Sequence, residues 1–99
     1  MITFVRTVSV APGKTADAMA FAHAIAKLIK EKVGSDLRIN VPIGGNPNRI
    51  AFVTVYASLS EFEAVSTKLV ADADYLKIVA TNASNFLPGS VFDEIWRGV

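Results

Sequence analysis

The residue most able to do chemistry is Arg6, which stands in the middle of the apolar segment ITFVRTVSV. A charge in mid-strand costs several kcal/mol if it is buried without a partner. If Arg6 projects into a cavity it can hold an anionic or enolate oxygen, while Tyr56 donates or accepts a proton. We therefore predict Arg6 and Tyr56 as the catalytic residues. The alternative is an Arg–Asp or Arg–Glu ion pair that ties two subunits together.

Aromatic walls with a few polar groups are typical of small-molecule sites, and six further residues are predicted to bind a substrate on this basis. They are the aromatic Phe4, Phe52 and Trp96 and the polar Arg38, Asn40 and Glu94. Asp93 and Glu94 are neighbours in a predicted strand and point to opposite faces. They are therefore not a carboxylate pair acting on one substrate.

Two other motifs are better explained by structure than by chemistry. Gly13-Lys14-Thr15 resembles the end of a phosphate-binding loop, but Val8 stands where that loop needs its first glycine. A turn followed by a helix start explains these residues. His23 falls on the side of the following helix that carries Lys27 and Lys30, so it is predicted to face solvent rather than to act as a base.

The segment 48–55, NRIAFVTV, shares an Ala-Phe-Val core with the third strand of RNA-recognition motifs, in which aromatic side chains stack on bases. Arg49 stands in place of the expected glycine, and Ile50 in place of the first stacking aromatic. The net charge of +1 also lacks the basic footprint of such proteins. RNA binding is a minor alternative, and no nucleic-acid partner is predicted.

Length and composition limit the class of protein. A chain of 99 residues is expected to form one domain spanning residues 1–99, and 52% hydrophobic against 19% charged residues excludes a disordered chain. The absence of cysteine is compatible with the cytoplasm, and one histidine leaves no zinc site, so no metal or other cofactor is expected. No apolar run is long enough to span a membrane. A domain this small cannot bury so many apolar residues by itself, so a partner chain is expected to cover some of them, most simply in a homodimer.

The hydrophobic periodicity and the turn residues predict alternating strands and helices. Thr15 is the predicted N-cap of the first helix and Gly34 its end, while Ser58 with Glu61 has capping-box spacing for the second. The order β-α-β-β-α-(α)-β predicts a ferredoxin-like α+β sandwich, with helices on one face of a four-stranded antiparallel sheet. Strands are predicted at residues 2–10, 37–43, 49–57 and 90–99, and helices at 15–33, from 58 onward and within 75–86.

Helices cover only one face of such a sheet, so the other face needs a ligand or a partner. We expect the small residues of the third strand, Ala51, Val53 and Val55, to pack against the helices. Phe52 and Tyr56 then lie on the open face. Arg6 is predicted to share that open face with Phe4 and Val8.

The segment Phe4–Lys14, FVRTVSVAPGK, resembles the opening of NIPSNAP-like members of the dimeric α/β-barrel superfamily. Leu69–Tyr75, LVADADY, is similar to the Asp-x-x-aromatic junction between two helical segments of those proteins, and Trp96 lies in a last strand of the expected kind. The resemblance covers nearly the whole chain in topology through short motifs.

The resemblance implies a homodimer in which two open sheet faces close a barrel around a cavity. Members of the superfamily include antibiotic-biosynthesis-type cofactor-independent monooxygenases, haem-degrading enzymes and isomerases. The Asn/Trp/His arrangement of the haem-degrading members has no match here, since His23 lies on the first helix. The expected function is binding of a small aromatic or carbonyl-bearing molecule, with monooxygenation or isomerisation if the protein is an enzyme. The alternative is a non-catalytic dimerisation or interaction module.

Overall fold

Four strands and three helices alternate along the chain in a computed structural model that describes residues 1–99. The strands form one antiparallel sheet in the order β2-β3-β1-β4. Two β-α-β units make up the fold, which confirms the predicted ferredoxin-like α+β class. The elements are β1 (Ile2–Ser9), α1 (Thr15–Val33), β2 (Arg38–Asn40), β3 (Arg49–Tyr56), α2 (Leu59–Val70), α3 (Ala73–Thr81) and β4 (Phe92–Arg97), with a short 3₁₀ turn at Ala83–Asn85.

The helix ends follow local chemistry. Gly34 adopts a φ of 75°, which glycine allows without steric cost, and its N–H donates to the Lys30 carbonyl at 3.0 Å. The Ser58 hydroxyl accepts from the Glu61 N–H at 3.2 Å, and the Glu61 carboxylate accepts from the Ala57 N–H at 2.7 Å. The predicted role of Ser58 as N-cap is confirmed. The predicted N-cap Thr15 is wrong: it is already the first helical residue.

The core lies between α1 and the sheet, where small residues on the helix meet large ones on β3. Ala18 and Ala22 of α1 are fully buried, and Ile50 and Phe52 are 2% and 9% exposed. The ring of Phe21, also on α1, meets Phe52 edge to face at a centroid distance of 6.4 Å. The alanines let α1 approach closely, so the bulk that fills the core comes from the sheet.

This packing reverses the predicted faces of β3. Ala51, Val53 and Val55 point away from the helices, and Phe52 and Tyr56 lie beneath them. The prediction assigned the small residues to the sheet side of the contact, whereas α1 supplies them. Both sides of β3 are apolar, so its pattern alone does not distinguish them.

The two edge strands are both short. β2 ends at Asn40, two residues before Pro42, which lacks the N–H that a central strand needs. The edge position predicted from Pro42 is therefore confirmed, although the strand is shorter than the predicted 37–43. β4 is the other edge, and all six of its residues are exposed. The helix layer thus covers β1 and β3 but leaves β4 open on both sides.

Replacing Ile50 by alanine tests which face of β3 is buried. Ile50→Ala is expected to lower the free energy of unfolding by about 2–5 kcal/mol, because it leaves a cavity in the core. Ile43, in the loop after β2, is fully exposed. Ile43→Ala is the matched control and should change stability by less than about 0.5 kcal/mol. Urea denaturation of both variants measures the difference, and equal losses would contradict the assigned face.

Candidate functional site

The alternation of side chains along each strand separates the eight predicted site residues into two groups. Arg6 is the Cα partner of Phe52 in the β1–β3 ladder, so both side chains lie on the helix side of the sheet. The open face carries Arg38, Asn40, Glu94 and Trp96, as expected. The helix side carries Phe4, Arg6, Phe52 and Tyr56, whose prediction on the open face is wrong. The sheet itself therefore separates them.

Arg6 forms a bidentate ion pair with Asp93, its ladder partner on β4. Its Nε donates to Oδ1 at 2.7 Å and its Nη2 to Oδ2 at 2.8 Å. These bonds raise the pKa of Arg6 further, so the guanidinium stays charged. The predicted alternative of an Arg–Asp pair is present, but it lies within one protomer rather than between two. Nη1 donates no hydrogen bond to the protomer and remains available to a ligand.

An aromatic cluster begins beside the guanidinium of Arg6. The guanidinium carbon lies 5.6 Å from the centroid of the Phe4 ring, within range of a cation–π contact. Phe62 of α2 packs against Phe4 at 5.0 Å and against Tyr56 at 5.5 Å. The charged group therefore stands at the end of an apolar, aromatic surface between the sheet and α2.

Tyr75 is a partly buried aromatic residue near this region that the sequence analysis did not assign. It lies in the first turn of α3, where the Asp72 carboxylate caps the helix by accepting from the Tyr75 N–H at 2.9 Å. Its side chain is partly buried and packs against the core. The available signal was the Asp-x-x-Tyr spacing of residues 72–75, which marks the start of α3.

Asp72 also forms an ion pair at this junction. Its carboxylate lies 3.2 Å from the Lys32 Nζ of α1, which also binds Asp74 at 2.8 Å. The hydrogen bond from the Tyr75 N–H lowers the pKa of Asp72, and Lys32 adds to this effect. The cap therefore fixes the start of α3, and with it Tyr75, relative to α1.

We call the region between β4 and the α2–α3 pair, on the helix side of the sheet, the β4-side cleft. It is open because the helix layer does not cover β4: the Arg6 and Asp93 side chains are 43% and 39% exposed. A fixed cation with free N–H donors beside aromatic rings can bind a carboxylate, phenolate or enolate oxygen. The residues of the cleft that contact one another are Phe4, Arg6, Phe62 and Asp93.

Tyr56 lies on the same side of the sheet as Arg6 but is not its neighbour. It lies four residues along β3 from Phe52, the ladder partner of Arg6, which separates their backbones by about 13 Å. Burial raises the pKa of Tyr56, against the smaller effects of the neighbouring Thr54 and Ser35 side chains. Tyr56 is therefore a neutral phenol in the aromatic wall, able to donate a proton but not to accept one.

The open face of the sheet is apolar at its centre and exposed. Val5 and Val53 are ladder partners in its middle, and Val55, Phe92 and Trp96 are 45%, 53% and 59% exposed. Two depressions of about 250 and 440 Å³ lie elsewhere, along α3 and between α1 and the 3₁₀ turn. They coincide with neither the open face nor the β4-side cleft.

The structure has neither a cluster of metal-ligating side chains nor a helix that could cross a membrane. No three His, Asp or Glu side chains cluster in a way that could hold a metal ion. None of the three helices combines the length and apolarity that crossing a bilayer requires.

Solved structures with the same fold cover nearly the whole chain. An uncharacterised NIPSNAP domain protein from Burkholderia xenovorans matches with a TM-score of 0.84 at 18% identity, over 100% of this chain and 95% of the other. A NIPSNAP family protein of unknown function from Agrobacterium tumefaciens matches with a TM-score of 0.82 at 17% identity, over 97% of this chain and 86% of the other. A candidate antibiotic biosynthesis monooxygenase from Nitrosomonas europaea matches with a TM-score of 0.76 at 18% identity, over 100% of this chain and 99% of the other.

No family model matches the sequence, and no curated protein does. The structural matches confirm the predicted resemblance to NIPSNAP-like and antibiotic-biosynthesis-monooxygenase-like proteins at the level of the fold. At these identities the sequences show a common architecture and no common activity.

The cap of α3 predicts a pH dependence. Since folding lowers the pKa of Asp72 below its ordinary value of 3.8, its charge stabilises the fold above that pH, and the contribution is lost as the pH falls through the lowered pKa. Asp72→Asn keeps a capping side chain but removes this dependence, so the loss of stability below about pH 4 should be shallower. Urea denaturation between pH 2.5 and 7 measures it. Asp17→Asn is the control, and an identical acid profile for Asp72→Asn and the wild type would contradict the role of Asp72.

Proposed function

We propose that this protein is a homodimer, joined through the open faces of its two sheets, that binds a small aromatic molecule carrying an acidic or carbonyl oxygen in the β4-side cleft of each protomer. The observation that carries the ligand proposal is the geometry of Arg6: Asp93 binds Nε and Nη2 and leaves Nη1 free, while the guanidinium carbon lies beside the Phe4 ring. The dimer proposal rests on the other side of the sheet.

The single protomer buries only a small part of its hydrophobic residues. Only 13 of 99 residues are buried, although 52% of the chain is hydrophobic. The largest exposed aromatic side chains, Phe92 and Trp96, both belong to the open face. A contiguous apolar face of this kind marks an interaction surface.

The open face also has the shape that a second sheet requires. Its centre carries short side chains, Val5, Thr7, Ala51 and Val53, which allow two sheets to pack about 10 Å apart. With strands of eight, eight, six and three residues, the sheet has an area of about 400 Å² in its own plane. That is of the order of the roughly 800 Å² per partner in a standard interface.

A charge at the centre of the open face should prevent dimerisation. Val53→Lys introduces an ammonium group that dimerisation would bury without a partner, so the variant is expected to be monomeric where the wild type is dimeric. Sedimentation velocity at micromolar concentration measures the mass, and circular dichroism checks the fold. Leu76→Lys, on the exposed side of α3, is the matched control and should remain dimeric. A wild type that sediments as a monomer would contradict the proposed dimer.

The β4-side cleft suits an oxyanion better than a neutral group. The Arg6 guanidinium is permanently charged and half-exposed, so a ligand can reach it without first breaking the fold. Phe4 and Phe62 offer aromatic surface for the rest of the molecule. If the bound molecule reacts, Arg6 stabilises the negative charge that develops on a carbonyl oxygen as an enolate forms.

The ligand proposal is tested with 2-hydroxybenzoate as the probe, in a ¹H–¹⁵N NMR titration of the wild type. Binding is expected to shift the Arg6 side-chain Nε–H and the amides of Phe4 and Phe62. Arg6→Ala should weaken binding about tenfold or more, because it removes charge-assisted hydrogen bonds. Lys27→Ala, a cation on the exposed side of α1, is the control and should bind like the wild type.

Two outcomes would contradict the ligand proposal. Equal affinity of Arg6→Ala and the wild type would show that Arg6 does not hold the carboxylate. Equal affinity of the wild type for neutral benzyl alcohol would show that the cleft does not select an oxyanion. The alternative of a non-catalytic interaction module would then be favoured.

A further inference from the structure

One row of residues crosses the open face at a right angle to the strands. Arg38 of β2 is the ladder partner of Val53, Val53 is the partner of Val5, and Val5 is the partner of Glu94 on β4. The row therefore reads cation, valine, valine, anion across the full width of the sheet. Its two charged ends have opposite signs.

The two charges do not pair within the protomer. Three strand spacings separate Arg38 from Glu94, which is about 14 Å. Both residues are exposed, and neither takes part in any of the five ion pairs of the protomer. Each long side chain thus stands at one margin of the apolar face with its charge unpaired.

We propose that this row sets the arrangement of the dimer: a second copy packs on the open face about a twofold axis parallel to the strands, so that Arg38 meets the partner's Glu94 and Glu94 meets the partner's Arg38. This inference rests on the dimer proposed above. Rotation about that axis places the partner's row opposite this one in the reverse order, so Val53 faces the partner's Val5. The short valines make the close central contact, while the long charged side chains reach across the margins.

Rotation about an axis parallel to the row brings like charges together instead. Arg38 would then face the partner's Arg38, and Glu94 the partner's Glu94. Like-charge contacts of this kind oppose association, so the charge pattern discriminates between the two aligned arrangements. A crossing of the sheets at a right angle would leave both charges without partners.

Charge reversal tests the pairing. Arg38→Glu creates two Glu–Glu contacts per dimer, and Glu94→Arg creates two Arg–Arg contacts. At low salt each variant is expected to dimerise at least about tenfold more weakly than the wild type. A one-to-one mixture of the two variants should form a heterodimer, which native mass spectrometry identifies when one variant is ¹⁵N-labelled. The double variant Arg38→Glu/Glu94→Arg should form a homodimer again.

Arg49→Glu is the matched control, since Arg49 lies on the same face outside this row and should leave the dimer intact. If both single reversals dimerise as tightly as the wild type, the charge row does not set the arrangement, and this inference fails while the dimer stands. If the wild type itself is monomeric, the dimer fails and this inference with it. Circular dichroism of each variant checks that the exposed substitutions leave the fold unchanged.

Discussion

The packing of α1 on β3 is the constraint on which the rest of the molecule depends. Two fully buried alanines on the helix, Ala18 and Ala22, admit the large side chains of Ile50 and Phe52. Once these residues face the helices, strand alternation and the ladder registers assign a side to every residue of the sheet. A shift of one residue in β1 would exchange Arg6 with Val5 and place the charge on the open face.

The helix layer does not extend over β4, which explains why a charged Arg6 is tolerated in the sheet and remains accessible to a ligand. The helices cover β1 and β3 and stop short of β4, so Asp93 can approach Arg6 from the edge strand while water reaches both. A more complete cover would bury the pair at a large desolvation cost. The same opening exposes the aromatic surface formed by Phe4 and Phe62. The charged Arg6 therefore lies beside an apolar surface.

The sheet thus presents two surfaces with different chemistry. Val5 and Arg6 are adjacent in sequence, yet Val5 belongs to the apolar open face and Arg6 to the β4-side cleft. In the function proposed here, one face associates with a second copy while the other binds a small molecule. The strands between them are shared, so the dimer would hold β1 and β4 rigid beneath Arg6 and Asp93.

Local sequence signals were sufficient for the elements and their order: Gly34 ends α1, Ser58 caps α2, and the alternation of strands and helices defines the fold class. They did not decide the faces of β3, because both faces are apolar and only the alanines of α1 distinguish them. Nor did they identify Asp93 as the partner of Arg6, since 87 residues separate the two in the chain and only the β1–β4 register brings them together. Residue types and turns are local properties, whereas burial and charge pairing depend on which elements meet, and that is settled by packing.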